Sequence, residues 1–166
     1  DHVVTALNAL FAEKGVMPMA ADVGDCLFTA MDVENTALVA SGYYATMGFG
    51  VPAGLGLQIA SQKRPIILVG DGAFQMTGWE LGHCKRYNLT PIVLVLNNKG
   101  WEMLRTFQPQ SGYHDLGEWP FAKMADLLGG KGTRVETKAE LMTALDTAVD
   151  DTKSFHLIEV MLPQGC

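Results

Sequence analysis

Nothing in this 166-residue sequence has the length of a membrane span, because no apolar run approaches the roughly 20 residues that a bilayer requires. Positive charge is also scarce. The 12 Lys and Arg are outnumbered by 18 Asp and Glu, giving a formal net charge of −6. No basic cluster stands out, which argues against nucleic acid as the main partner. Cysteine is limited to Cys26, Cys84 and Cys166, an odd count without C-x-x-C spacing. A disulfide framework or zinc site is therefore not expected, and a reducing cytosol is. Cys84, among helical residues, reads as a small buried hydrophobe. The opening residues, DHVVTALNAL, lack the charged start and cleavage site of a secretory signal. There is no internal repeat, low-complexity tract or second domain. What remains is 48% apolar and 18% charged, the profile of an ordinary globular domain with a substantial core.

Val3, Val4, Leu7, Leu10 and Phe11 recur at helical spacing, predicting an amphipathic helix over residues 2–14 that ends at Gly15. A strand is expected over 17–23, broken by Gly24-Asp25, and a second over 36–40. Residues 41–60 are rich in small side chains, and the second part of the stretch reads as helix. Its Gly48, Gly50, Gly54 and Gly56 each cost about 1 kcal/mol in helix propensity, which close packing would explain. Residues 66–70 and 92–97 are continuous β-branched runs, the pattern of strands covered on both faces. A crossover helix is expected between them over 77–87. Further on come a helix over 121–128, a strand over 133–136, and a capping box at Thr137 and Glu140 opening a helix to Asp150. A last strand covers 155–162. The alternation predicts a doubly wound α/β fold, with about six parallel strands and helices on both faces. Because the chain opens in helical periodicity and stops just after a strand, residues 1–166 are expected to be one domain of a longer enzyme.

The chemistry lies where two apolar runs end. PIILVGDG ends in Gly70-Asp71-Gly72, and PIVLVLNN ends in Asn97-Asn98. Gly-Asp-Gly by itself commonly marks a turn. Here a strand precedes it, and a second strand ends in Asn-Asn one crossover later. A right-handed crossover puts both ends on one edge of the sheet, the edge where ligands sit. Asp71 and Asn98 could then converge on one cation. Mg²⁺ carrying phosphates suits such a pair, since it takes oxygen ligands and few of them from side chains.

GDG, followed by residues 73–96 and then NN, resembles the signature of thiamine diphosphate enzymes. With the segments GYYATMGFGVPAGLG and NNKGWEMLRTF, the resemblance covers essentially the whole chain. It is to the diphosphate-binding domain of pyruvate decarboxylase-like 2-keto acid decarboxylases, nearest to the phenylpyruvate or indolepyruvate type. The resemblance implies the thiamine diphosphate-binding fold, with Mg²⁺ held by Asp71, Asn98 and the Gly100 carbonyl. Gly72 and Ala73, flanked by Gly70 and Phe74, would present backbone N–H groups to the diphosphate near a helix start. Trp101, Glu102 and Met103 would do so on the other side. The Glu102 side chain reads equally well as a favourable charge in a helix first turn. Met47 matches the family's bulky apolar residue beneath the cofactor, and Ala45, Thr46 and Met47 would line the aminopyrimidine.

Two departures from the family pattern matter. Gly24, Asp25 and Cys26 match a loop that usually offers small hydroxyls to the diphosphate. A carboxylate facing a diphosphate is repulsive, so Asp25 is expected to turn away or cap the following turn. Leu104 stands where pyruvate decarboxylases carry glutamate, so the substrate pocket, with Trp101 beside it, should favour an aromatic or long-chain keto acid. Phe107 is a further candidate for that surface, and core packing is an equal reading for it and for Trp101. His83, His114 and His156 receive no role. His156 reads as structural, and His114 is kept as a candidate neighbour of the site. The family's activating glutamate belongs to the pyrimidine-binding domain of a partner subunit, and no carboxylate here matches it. The domain alone is therefore not expected to turn over substrate, and a homo-oligomer (dimer or tetramer) is implied. Two other readings stay open: an acetolactate synthase-like carboligase, and a flavodoxin-like module holding FMN at the same sheet edge.

Overall fold

Apolar runs without polar interruption need a covering layer on each side. Strands β3 (Ile66–Gly70) and β4 (Ile92–Asn97) have them in the computed structural model, which describes residues 2–34 and 37–164. They form the centre of a six-stranded sheet with β1 (Met19–Ala21), β2 (Leu38–Ala40), β5 (Lys131–Val135) and β6 (His156–Met161). The order is β2-β1-β3-β4-β6-β5 and every pairing is parallel. Along β3, Ile66 and Leu68 enter one core while Ile67 and Val69 enter the other, as the two-residue period of a strand requires. The first core is closed by α1 (His2–Lys14), α2 (Asp25–Asp32) and α8 (Lys138–Asp150). The second is closed by α3 (Gly50–Ser61), α4 (Asp71–Thr77), α5 (Cys84–Tyr87) and α7 (Phe121–Leu127). Each fully buried Leu, Ile or Val contributes about 1.5–3 kcal/mol.

This is the doubly wound sheet expected from the alternation. From β1 the chain moves outward to β2, then returns to β3 on the other side of β1, leaving a crevice between the carboxyl ends of β1 and β3. Such a reversal is the standard location of a ligand site in open α/β sheets.

Local differences from the expected elements have physical causes. The crossover helix begins at Asp71, not residue 77, and Gly78–His83 winds as a 3₁₀ helix between α4 and α5. Gly78 lies under the Phe74 ring, where a Cβ would come within 2.4 Å of the ring edge, and such glycines weaken α propensity. Helix α2 was not anticipated, since only Cys26 and Ala30 of it are buried, too few for a periodic signal. β1 is shorter than 17–23. The second strand spans Leu38–Ala40, and Thr36 of the expected range lies outside the described residues, as does Cys166. β5 starts at Lys131, ahead of the expected 133, because a largely exposed edge strand carries little apolar pattern. The capping box is present: Thr137 Oγ1 accepts from Glu140 N at 3.2 Å, and Glu140 Oε2 accepts from Thr137 N at 3.0 Å. No described helix is long and apolar enough to cross a membrane.

Candidate functional site

A cavity of about 530 Å³ opens on the carboxyl edge of the sheet. Its walls come from residues after β1, β2, β3 and β4, with Leu162 from the end of β6. At its base the two strand ends singled out by sequence meet. Asp71 is 3% exposed, and one carboxylate oxygen accepts from Gly72 N at 2.8 Å. Its second oxygen accepts from Gly100 N at 3.1 Å, and Asn98 Oδ1 accepts from the same N–H at 3.2 Å. One backbone donor thus gathers a carboxylate oxygen and a carboxamide oxygen from neighbouring strands. Burial pushes the Asp71 carboxyl up to about 6, against the opposing pull of backbone N–H groups of Gly72, Gly100 and Lys99. Among the described residues no group of three or more His, Cys, Asp or Glu could hold a metal ion. Any cation here would take its ligands from one carboxylate, an amide and backbone.

The loop carrying Asn98 is braced from behind. Asn97 Nδ2 donates to Glu159 Oε1 at 2.8 Å, and Asn97 Oδ1 accepts from Lys99 N at 3.1 Å. The second Glu159 oxygen accepts from Ala122 N at 3.1 Å, so a buried β6 carboxylate joins the Asn-Asn turn to the start of α7. Beyond this turn the chain folds back on itself: Trp101 N donates to His114 O at 3.0 Å and Leu116 N to Lys99 O at 3.0 Å. Arg105 pins that return through Glu102 at 3.1 Å and Asp115 at 2.9 Å.

The structure brings most of the sequence-selected residues to the cavity. Gly24, Asp25 and Cys26 line it from the start of α2, Ala45 and Met47 from the loop after β2, and Gly70, Gly72 and Ala73 from the β3–α4 junction. Trp101, Glu102, Met103 and Leu104 line the opposite side, the last three on α6 (Glu102–Arg105), a single turn. A Cβ on Gly72 would lie 2.1 Å from Trp101 Nε1, so only glycine fits under that indole. The indole N–H is buried and has no acceptor among the described residues. Asp25 sits in the first turn of α2, where partial burial and then the nearby charge of Glu102 raise its carboxyl. The Glu102 carboxylate is engaged by Arg105 at 3.1 Å.

Three selected residues do not line the cavity with their side chains, and one of them is Phe107, which is 77% exposed. Phe74 is 1% exposed and packs edge-on against Phe121 at 5.3 Å, in the core beneath. Thr46 is exposed, and its carbonyl accepts from Ser41 Oγ at 3.1 Å. His114 is buried, its Nε2 3.0 Å from Gln108 O, and it does not border the cavity. His156 lies at the start of β6, the opposite edge of the sheet, 3.0 Å from Asp151. Sequence reasoning missed Asp22, Phe28, Ser41 and Leu162 in the wall, and Glu159 behind it. A lone carboxylate within an apolar strand pattern, as at Asp22 and Glu159, was the available signal.

Residues 22–160 match the family described as thiamine pyrophosphate enzyme, C-terminal TPP binding domain. An indole-3-pyruvate decarboxylase of Azospirillum brasilense is 60% identical over 148 residues, which is 89% of this chain and 27% of that protein. An alpha-keto-acid decarboxylase of Mycolicibacterium paratuberculosis is 31% identical over 172 residues, covering 99% of this chain and 30% of the relative. The acetolactate synthase large subunit of Buchnera aphidicola is 33% identical over 168 residues, 94% of this chain and 29% of that protein. The chain thus spans less than a third of the length of these curated relatives.

Proposed function

Since this chain belongs to the family of C-terminal TPP-binding domains of thiamine pyrophosphate enzymes, we propose that it is the diphosphate-binding part of a longer, non-oxidative 2-keto acid decarboxylase. Its substrate would be an aromatic keto acid, phenylpyruvate or indolepyruvate, and the products an aldehyde and CO₂. The observation that carries the reading is the convergence of Asp71 and Asn98 oxygens on the Gly100 N–H at the cavity base. A carboxylate, a carboxamide and a nearby carbonyl form a hard-oxygen set suited to Mg²⁺, which completes its shell with phosphate oxygens and water. The raised Asp71 carboxyl and the acceptor-less Trp101 N–H both fit a cation–diphosphate pair.

In this reading Asp71, Asn98 and the Gly100 carbonyl hold the metal. The Gly72 N–H is held by Asp71, so the Ala73 N–H faces the diphosphate from the start of α4, with Gly70, Gly72 and Phe74 around it, and N–H groups near Glu102 and Met103 face it from the other side. Gly24 and Cys26 close the wall behind it. Met47 supports the cofactor from the loop after β2, and Ala45 and Met47, with Thr46 between them, offer backbone groups to its aminopyrimidine. When bound, thiamine diphosphate supplies the electron sink that decarboxylation needs. The chain's own contribution is orientation and an apolar lining: Leu104, with Trp101, supplies an apolar side chain in place of an acid at that position and makes room for an aromatic ring.

The activating glutamate and the remaining wall would come from the pyrimidine-binding domain of a partner subunit in a dimer or tetramer. Exposed Phe28, Tyr43, Tyr44 and Phe107 support such a neighbour. The unpaired thiols of Cys26 and Cys84 support a reducing, cytoplasmic setting. Family membership removes the support for a flavodoxin-like module. The test is a keto-acid panel on the full-length protein with Mg²⁺ and thiamine diphosphate. Aldehyde formation, highest with aromatic substrates and lost on metal chelation, is expected. Acetolactate as the main product would favour the carboligase reading instead.

A further inference from the structure

Asp22, immediately after β1, is 0% exposed, and its recorded partners are backbone amides rather than a basic side chain. Its Oδ1 accepts from Val23 N at 3.0 Å and Gly48 N at 3.1 Å, and its Oδ2 accepts from Gly50 N at 2.7 Å. A buried carboxylate is costly unless its oxygens are fully used, and here both are spent on a loop more than twenty residues away in sequence. That loop carries Met47, and it is strained. Ala45 has φ 57° and Gly48 φ 81°, both in the left-handed region. A non-glycine residue in that region persists only where its surroundings fix it. The Gly48 carbonyl is held as well as its N–H, since Thr77 Oγ1 at the end of α4 donates to Gly48 O at 2.8 Å. The approach is close on both flanks. A Cβ on Gly50 would lie 2.9 Å from Asp22 N, and one on Gly48 would lie 3.1 Å from the Thr77 methyl.

We propose that Asp22 and Thr77 are positioning residues that clamp Gly48 through its N–H and its carbonyl, so that Met47 is held in the cavity wall before any cofactor arrives. The inference rests on the reading of the cavity as a thiamine diphosphate site. The clamp joins the ends of two elements, β1 and α4, that also frame the crevice between β1 and β3. Met47 is therefore fixed relative to Asp71 by the sheet itself. The short connection matters chemically: a residue that supports a bent cofactor must resist being pushed aside, and a loop free to move would yield. Preorganisation of this kind appears as affinity, because the ordering is completed before binding.

The test measures thiamine diphosphate affinity of the full-length protein by calorimetry at saturating Mg²⁺. Asp22→Asn, which offers one acceptor where three donors converge, should weaken binding at least about tenfold, in the range seen when groups behind a ligand shell are altered. Thr77→Val should weaken it about three- to tenfold, and Thr77→Ser, which keeps the hydroxyl, should bind as wild type. In a Met47→Ala background the Thr77→Val effect should largely vanish, which a general loss of stability would not produce. Undiminished affinity in Thr77→Val, or the same loss with and without Met47, overturns the clamp; this arm stands even if Asp22→Asn does not fold. If the wild-type protein does not bind thiamine diphosphate, the function reading fails instead, and the two failures are distinguishable.

Discussion

Replacing Asp71 by asparagine should stabilise the cofactor-free sheet at neutral pH while removing the Mg²⁺ affinity proposed for this site. The carboxyl is 3% exposed, and burial pushes it from an ordinary 3.8 up to about 6. A rise of that size, at about 1.4 kcal/mol per pH unit, means that the ionised group costs the folded state about 3 kcal/mol. The direction follows from proton counts. Between about pH 4 and pH 6 the folded chain keeps a proton that the unfolded chain has released, so stability falls as pH rises through that window. Asparagine imitates the neutral acid and carries no such penalty.

Hydrogen exchange of β3 and β4 amides, read by mass spectrometry on the full-length, metal-free protein, reports openings that expose Asp71. At pH 7 exchange in Asp71→Asn should be slower than in wild type by about a hundredfold, the equivalent of 3 kcal/mol. At pH 4 the difference should shrink to a few-fold, since both forms are then mostly uncharged. Mg²⁺ with thiamine diphosphate should slow exchange in wild type and leave the variant unchanged. Faster exchange in the variant at pH 7, or a gap that ignores pH, would refute the argument that the buried charge is the destabilising feature.

Other consequences are equally direct. Glu159→Gln leaves one of the two donors from Asn97 and Ala122 facing an amide NH₂; Mg²⁺ affinity by calorimetry should fall about 10- to 100-fold. Gly132→Ala drives a Cβ to within 1.7 Å of the Ala122 carbonyl oxygen, so α7 must shift off the sheet edge. A destabilisation of about 1–3 kcal/mol is expected in thermal or denaturant unfolding, with Mg²⁺ affinity also lowered because Ala122 anchors Glu159. Leu104→Glu puts an acid in place of an apolar side chain and should lower the ratio of kcat/KM for phenylpyruvate over pyruvate; an unchanged or higher ratio refutes the pocket reading.

The parts of the fold legible in the sequence are those where one physical signal dominates. β3 and β4 are read from their uninterrupted β-branched runs, and both occur with the expected bounds. The same holds for α1, with its five buried apolar residues, and for α8 with its capping box. Where signals compete, the reading is weaker. The crossover helix is expected only from residue 77, yet Asp71 and Gly72 already belong to α4, because a helix first turn tolerates both and the Asp71 carboxylate receives the Gly72 N–H. Helix α2 escaped because its apolar residues are not confined to one face: Cys26 and Ala30 are buried, while Leu27 and Phe28 border the cavity. The site divides in the same way. Ligand-type residues at strand ends can be read locally, whereas Asp22 and Glu159 acquire their roles only through partners far away in sequence.

That division explains why two buried aspartates on one sheet edge have different uses. Asp22 turns its oxygens toward amides of a distant loop, and the result is a fixed wall. Asp71 turns one oxygen toward its own helix and the other toward an N–H that Asn98 also uses. Around Gly100, then, one donor serves two acceptors, and the excess of electron-rich oxygen has its natural complement in a small hard cation. Filling that deficit would remove the ionisation penalty on Asp71 and tighten β3 against β4. Loading the proposed metal and stabilising the sheet would therefore be one event at this end of the site. At the other end the wall is preset and gains nothing from the ligand. A cofactor bridging the two ends would meet one surface that waits for it and another that is completed by it, which is why changes at Asp22 should be read in affinity and changes at Asp71 in both affinity and stability.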